Sequence, residues 1–349
     1  MKSTTDVSHS SRMARITINK LTGRSGRSSR LCPISANSIA SQLMKNGAHK
    51  TGGRESTRFV NKHLSDVWKI PTSEGHNISE PFRLEAFAAA LRRLKPGKSP
   101  VLDSIFPEFI LHTQSALKSW FCGFLTSCMR QLKIPKIWRR ALVVVIPKPE
   151  KPLGDPKSNC PISLLCVPFK ILKRLIYARV KTITDPQLPQ EQAGFRHGRS
   201  AVDQVTLLTQ DIEDSFSAKK KAGAVFVDIT AAYDIVWHHG LTCKLLRLLP
   251  DRHMVHMIME MVSNRSFTLT TGNGQRSRLR RLKNGVPQGS VLAPLLLNIY
   301  TSDLPATISR KYAYADEPAI MHADGDWLAV EGALSKNKAT LGEYSRPGS

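Results

Sequence analysis

Two places in the 349-residue chain hold carboxylates where they could do chemistry. The first is Asp228, near the end of AVFVDI (224–229), a continuous apolar run of the kind that forms a buried strand. The second is the pair Asp316-Glu317, flanked by the apolar segments 311–315 and 319–322, the pattern of a hairpin with its acids at the tip. Clustered carboxylates repel one another unless cations neutralise them. Such a cluster has a specific use: two divalent ions about 3.5–4 Å apart stabilise both the attacking and the leaving oxygens of a phosphoryl transfer. Magnesium suits that work, since it prefers hard oxygen ligands and shares its shell between carboxylates and substrate phosphates. The two acids are 88 residues apart, so only the fold can bring them together. Taken singly, each Asp also suits a turn or a cap.

The elements that must position these acids are readable in outline. Residues 81–95 (PFRLEAFAAALRRLK) have an apolar face of Leu84, Phe87, Ala88, Leu91 and Leu94, which predicts a helix ended by Pro96-Gly97. A helix is expected across 107–132 with Trp120, Phe121, Phe124 and Leu125 as core, and another over 168–180. ALVVVI (141–146) predicts a buried strand. Helices follow at about 240–249, stopped by Pro250, and at 251–264. Residues 267–271 and 276–283 flank Gly272-Asn273-Gly274, a strong hairpin signal. NGVPQGSVLAPLLLNIY then runs from a Gly-containing loop into an apolar helix.

Composition narrows the class. With 51 Lys and Arg against 27 Asp and Glu the formal charge is +24, which favours a polyanion as partner, most often nucleic acid. A hydrophobic fraction of 41% excludes disorder over the whole length. No apolar run reaches the length of a membrane span, and the N-terminus lacks the apolar segment of a secretory signal. Six scattered cysteines without CxxC spacing suggest neither zinc nor disulfides, so an intracellular, reducing location is expected. Residues 1–58 hold eleven Lys and Arg and two acids, and read as a flexible basic arm.

FVDITAAYD (226–234), NGVPQGSVLAPLLLNIYTSDLP (284–305) and YADE (314–317), in that order and spacing, resemble the three palm motifs of a reverse transcriptase. The likeness is to the non-LTR, LINE-type retrotransposons of the jockey-like kind. Upstream, LKPGKSPVLDSIFPEFI (94–110), WRRALVVVIPKPEKP (138–152), CPISLL (160–165) and EQAGFRHGRSAVDQ (191–204) agree with it. The resemblance implies an α+β fold: right-hand fingers and palm, with an antiparallel palm sheet packed on helices and the thumb absent. The implied division is a basic arm at 1–58, a helical extension at 59–137, fingers at 138–223 and an incomplete palm at 224–349.

By the same resemblance Asp228 and Asp316 hold the metals with backbone of Ile229, and Glu317 completes the acidic set. Two Mg²⁺ ions are the implied cofactor. Tyr233 stands at the position whose ring leaves no room for a ribose 2′-hydroxyl. Gln288 and Gly289 pack against template and incoming nucleotide. Lys148 lies near the triphosphate, and Arg196 and Arg199 near template and nucleotide. Arg276, Arg278, Arg280, Arg281 and Lys283 would track phosphates along a primer–template groove; a solvated, charge-protected edge strand is the other reading of that run. The implied partners are an RNA template, a DNA primer and deoxynucleoside triphosphates.

Four departures from the family pattern stand out. Glu317 replaces a second aspartate, with Pro318 after it. Cys160 stands where an arginine usually precedes PISLL. Val101 replaces a glycine, and the chain stops soon after the acidic hairpin. They motivate an alternative reading, an inactive retrotransposon relict that only binds nucleic acid.

Overall fold

The computed structural model describes residues 14–21, 78–98, 100–147, 149, 159–229, 231–270 and 274–344. In chain order the elements begin with strand β1 (Ala14–Leu21) and helices α1 (Leu84–Arg92), α2 (Pro107–Leu111) and α3 (Ser115–Arg130). Strands β2 (Arg140–Pro147) and β3 (Asn159–Leu164) precede helices α4 (Val167–Thr184) and α5 (Ala201–Ser217). Strand β4 (Lys221–Ile229) leads to the single turn α6 (Ala232–Ile235), then α7 (His238–Leu248) and α8 (Arg252–Val262). The chain continues through β5 (Ser266–Thr270), β6 (Arg280–Arg281), α9 (Ala293–Tyr300), β7 (Arg310–Tyr314), β8 (Glu317–Asp324) and α10 (Trp327–Tyr344). Helices and mostly antiparallel strands together make this an α+β fold.

The elements gather into two compact units, neither continuous in sequence. One unit holds 1–27, 188–232 and 301–349. Its sheet has the order β1-β4-β8-β7, antiparallel from β4 to β7 and parallel between β1 and β4. The two-residue period of β4 divides its side chains between two cores. Ala222 and Ala224 pack with Tyr312, Ala319 and Met321 against Leu208, Ile212 and Phe216 of α5. Val225 and Val227 pack with Ile320 against Val330, Leu334 and Leu341 of α10. Asp228 belongs by parity to the α5 face, at the strand's C-terminal end.

The other unit holds 28–187 and 233–300. Its sheet has the order β3-β2-β5-β6, with β2 and β5 parallel and the outer pairs antiparallel. Ala141 and Val143 of β2 share a core with Leu165, Phe267 and Leu269. Ile171, Leu172 and Ile176 of α4, and Met254, Met257 and Ile258 of α8, are fully buried. Helix α9 is buried nearly all round, as its run APLLLNIY requires.

Three expectations change. The helix expected over 107–132 is two, because His112–Gln114 leave helical geometry and Gln114 is extended (ψ 163°). Within α3 the buried face runs through Cys122, Leu125, Cys128 and Met129, so Leu125 is core but Trp120, one position off that face, is 63% exposed. In the expected basic arm, Ala14–Leu21 is a strand, its Ile16 and Ile18 alternating with polar residues in the two-residue period of a strand. It adds in parallel to the otherwise open edge of β4. The rest of 1–58 lies outside the described residues.

Candidate active site

The first unit brings Asp228 and Asp316 together. β7 and β8 are joined by the two-residue turn Ala315–Asp316, with Ala315 at φ 59° and Tyr314 paired with Glu317. Asp316 therefore occupies the tip, while Glu317 is already the first residue of β8 and is exposed. Pro318 follows, next to Ala319, where the β4–β8 ladder begins at the pair Phe226–Ala319; having no N–H, it cannot donate to β4. The backbone N–H of Ile229 donates to the Asp316 carbonyl at 3.0 Å, tying the end of β4 to the acidic turn. Burial pushes the Asp316 carboxyl above the ordinary carboxylate range, and the charge of Asp228 pushes the same way.

The turn is held by residues that the acidic pattern does not reveal. Gln192 is buried, and its amide reads Ala315 as a strand would. Its Oε1 accepts from the Ala315 N–H at 2.8 Å, and its Nε2 donates to the Ala315 carbonyl at 3.1 Å. The flanking backbone pairs with β7 through Ala193 N–H to the Ala313 carbonyl (2.8 Å) and Ala313 N–H to that of Glu191 (2.9 Å). Gly194 is packed so closely that a Cβ there would stand 2.1 Å from the Ala315 nitrogen. The usable signal was the AG step in EQAGFR, where a glycine permits close backbone approach.

Arg196 is buried and donates to the carbonyls of Pro189 (2.7 Å) and Gln192 (3.2 Å). Arg199 donates to the backbone carbonyl and side-chain oxygen of Gln190. Both arginines thus brace the segment that carries Gln192.

In the second unit the loop at 284–290 lies on the turn that carries Tyr233. The Val286 N–H donates to the Tyr233 carbonyl at 2.8 Å, and the Gly285 N–H to that of Val236 at 2.8 Å. Gly285 has φ 81°, and a Cβ there would meet the Asp234 carbonyl oxygen at 2.9 Å. Two buried bases clamp the loop from below. Arg265 donates to the carbonyls of Val262, Asn284 and Gly285 (2.8, 3.2 and 2.6 Å). His238 Nε2 lies 2.8 Å from the same Gly285 oxygen, so that nitrogen carries the proton. Desolvation pushes the His238 imidazole down to about 4 and the Asp234 carboxyl up to about 6; Arg265 opposes the latter. Gly289, at φ 93°, leaves a Cβ only 3.4 Å from the Ser163 carbonyl, and the Gln288 carbonyl accepts from the Ser163 N–H at 3.3 Å.

The basic run leaves Arg276, Arg278, Arg281 and Lys283 exposed and Arg280 half-buried. Ser277, between them, is turned inward to bond Leu269. β6 is the outer strand of its sheet, so the cations line an edge. Lys148 lies outside the described residues, as does the tip at 271–273.

For magnesium the donors fit in kind. Asp228, Asp316 and the Ile229 backbone offer hard oxygens, and the pair's mutual repulsion is the field a cation relieves. Among the described residues no group of three or more His, Cys, Asp or Glu side chains could hold a metal ion. No described helix is long and apolar enough to cross a membrane.

Residues 146–345 match the reverse transcriptase (RNA-dependent DNA polymerase) family. The chain is 34% identical over 278 residues to the probable RNA-directed DNA polymerase from transposon BS of Drosophila melanogaster, covering 76% of this chain and 30% of that protein. It is 33% identical over 271 residues to the RNA-directed DNA polymerase from mobile element jockey of Drosophila funebris, covering 72% and 29%. To the probable RNA-directed DNA polymerase from transposon X-element of Drosophila melanogaster it is 35% identical over 227 residues, covering 64% and 25%. The chain thus spans less than a third of the length of these relatives. The matched residues include the acid-bearing strand, the Pro287-Gln288-Gly289 loop and the acidic turn, and the chain belongs to the reverse transcriptases, on their non-LTR, LINE-type branch.

Proposed function

We propose that this chain is the RNA-directed DNA polymerase region of a non-LTR retrotransposon, adding deoxynucleotides to a primer 3′ end on an RNA template. The observation that carries the reading is the acidic pair: Asp228 and Asp316 lie in one unit, joined by the Ile229–Asp316 hydrogen bond, on a turn built to present Asp316. When bound there, Mg²⁺ supplies Lewis-acid activation of the primer hydroxyl and neutralises charge on the leaving phosphates. Asp228, Asp316 and the Ile229 backbone would hold it.

The protein's own residues position and select. The Tyr233 ring excludes a 2′-hydroxyl, and its backbone is fixed by Val286. Gln288 and Gly289 offer a close backbone approach to nucleotide and template. Arg276, Arg278, Arg280, Arg281 and Lys283 line a strand edge where a nucleic-acid backbone can run. Lys148, in the fingers, offsets triphosphate charge. In this reading 138–223 serve as fingers and 224–349 as palm.

The test is primer extension on an RNA template with deoxynucleotides and Mg²⁺. Extension by the wild type, lost in Asp228→Ala, is the expected result. Equal extension by both would sink the proposal. Salt-sensitive RNA binding without any incorporation would instead favour a binding-only relict.

A further inference from the structure

Beneath the loop clamp, and lined only by residues of the second unit, lies a small pocket. Its walls are largely apolar, with Trp138, Phe169 and Phe267 among them. Its polar groups are unbalanced. Lys173, Arg139 and Arg265 all line it, against the carboxylate of Asp234.

Asp234 faces Arg265, whose Nε and Nη2 already donate to backbone carbonyls. Arg139 is paired with Glu260 through Nη2, yet its buried Nε has no partner among the described residues. Lys173 is the extreme case. It is 1% exposed, sits on the inner face of α4, and its Nζ has no hydrogen-bond partner among the described residues. Its one favourable neighbour there is the Phe169 ring, 4.0 Å from Nζ to centroid.

Burial, and then the charge of Arg265, push the Lys173 ammonium well below the ordinary lysine range, so an anion beside it would restore its charge, and an orphaned donor of this kind calls for a partner. Two orphaned cationic donors on one apolar pocket are what a small anion with an apolar body would complement. We infer that this pocket binds a small oxyanion, a phosphate or a carboxylate group, seated between Lys173 Nζ and the guanidinium groups of Arg139 and Arg265, with any apolar part against Phe169 and Trp138. Gln288 also lines the pocket, so an occupant would touch the loop that the proposed polymerase uses. The inference does not rest on polymerase activity.

The experiment is thermal unfolding of the full chain in inorganic phosphate, in benzoate and in chloride at matched ionic strength, for the wild type and Lys173→Met. In the wild type, phosphate or benzoate at a hundredfold excess over Kd should raise Tm by about 3–6 °C over chloride. Phosphate alone would mark a phosphate site, and benzoate alone a site for an aromatic carboxylate. Lys173→Met keeps the whole basic surface, so it cancels binding there. It should lose the ligand shift and, lacking the buried orphaned amine, unfold no lower than the ligand-free wild type. Equal shifts in both proteins, or none in either, overturn the inference. Equilibrium dialysis of the wild type against each anion, in salt that screens surface charge, decides it independently of how the variant folds. One saturable site per chain supports the site; no saturable binding refutes it.

Discussion

At the scale of single residues, the acidic turn depends on neighbours with no chemistry of their own. Gly194 has no room for a side chain because the Ala315 backbone is there. Gly194→Ala must therefore push the turn away or distort it, at a cost of about 1–3 kcal/mol. It should lower primer extension at least about tenfold, while RNA binding through the basic edge is kept; unchanged extension would show that Asp316 does not depend on this packing. A second residue-scale prediction concerns the two titratable groups under the loop. Asp234 is raised to about 6, so its contribution to stability is present below about pH 4 and lost as pH rises through 6. His238 is lowered to about 4, so its contribution is present above about pH 6.5 and lost as pH falls through 4. The two slopes oppose each other in one window, and the wild type should show little net pH dependence from this pair. Denaturant titrations between pH 4 and 6.5 should separate them. Asp234→Asn should lose about 2–3 kcal/mol on going down to pH 4. His238→Gln, which keeps an N–H for the Gly285 carbonyl, should gain stability over the same descent. Parallel pH profiles in all three proteins would contradict the burial described.

At the scale of elements, periodicity and turn chemistry made much of the fold legible. The strand around AVFVDI, the hairpins and the helices after Pro168 and Asp251 follow from apolar runs and their punctuation. What stayed hidden was packing between segments distant in sequence. Trp120 and Leu125 are equally apolar in α3, and only packing decides that Leu125 is core and Trp120 exposed. The Asp316 turn was visible as an acidic tip, but its support by Gln192, 123 residues away, was not. The Arg196 and Arg199 side chains were legible as cations without their present bonds to backbone. The edge segment 276–283 carries the element-scale prediction. Replacing Arg276, Arg278 and Arg281 together by Ala should weaken RNA binding uniformly across sequences. The slope of log K against log salt should fall by about one for each phosphate that is no longer neutralised. An unchanged slope would make these cations a solvated edge.

For the whole molecule, the charge of +24 now has partial locations. Some of it lies along the sheet edge at 276–283 and some on Arg196, which bonds backbone carbonyls, and Arg199, which bonds the backbone and side chain of Gln190. Three cationic side chains, Arg139, Lys173 and Arg265, are turned inward around a pocket. A basic composition is therefore not one feature: some cations are exposed along a sheet edge, and others are buried and bonded to carbonyls or turned toward a pocket. The central claim is that two carboxylates, carried by β4 and the β7–β8 turn, form one metal-dependent centre. Primer extension on RNA across a Mg²⁺ titration, with Asp228→Asn and Asp316→Asn beside the wild type, tests it most directly. The account predicts extension that requires Mg²⁺ in the wild type and falls by about 10³ or more in each variant, with RNA binding intact. Wild-type rates in either variant, or extension that persists in a chelator, would contradict it.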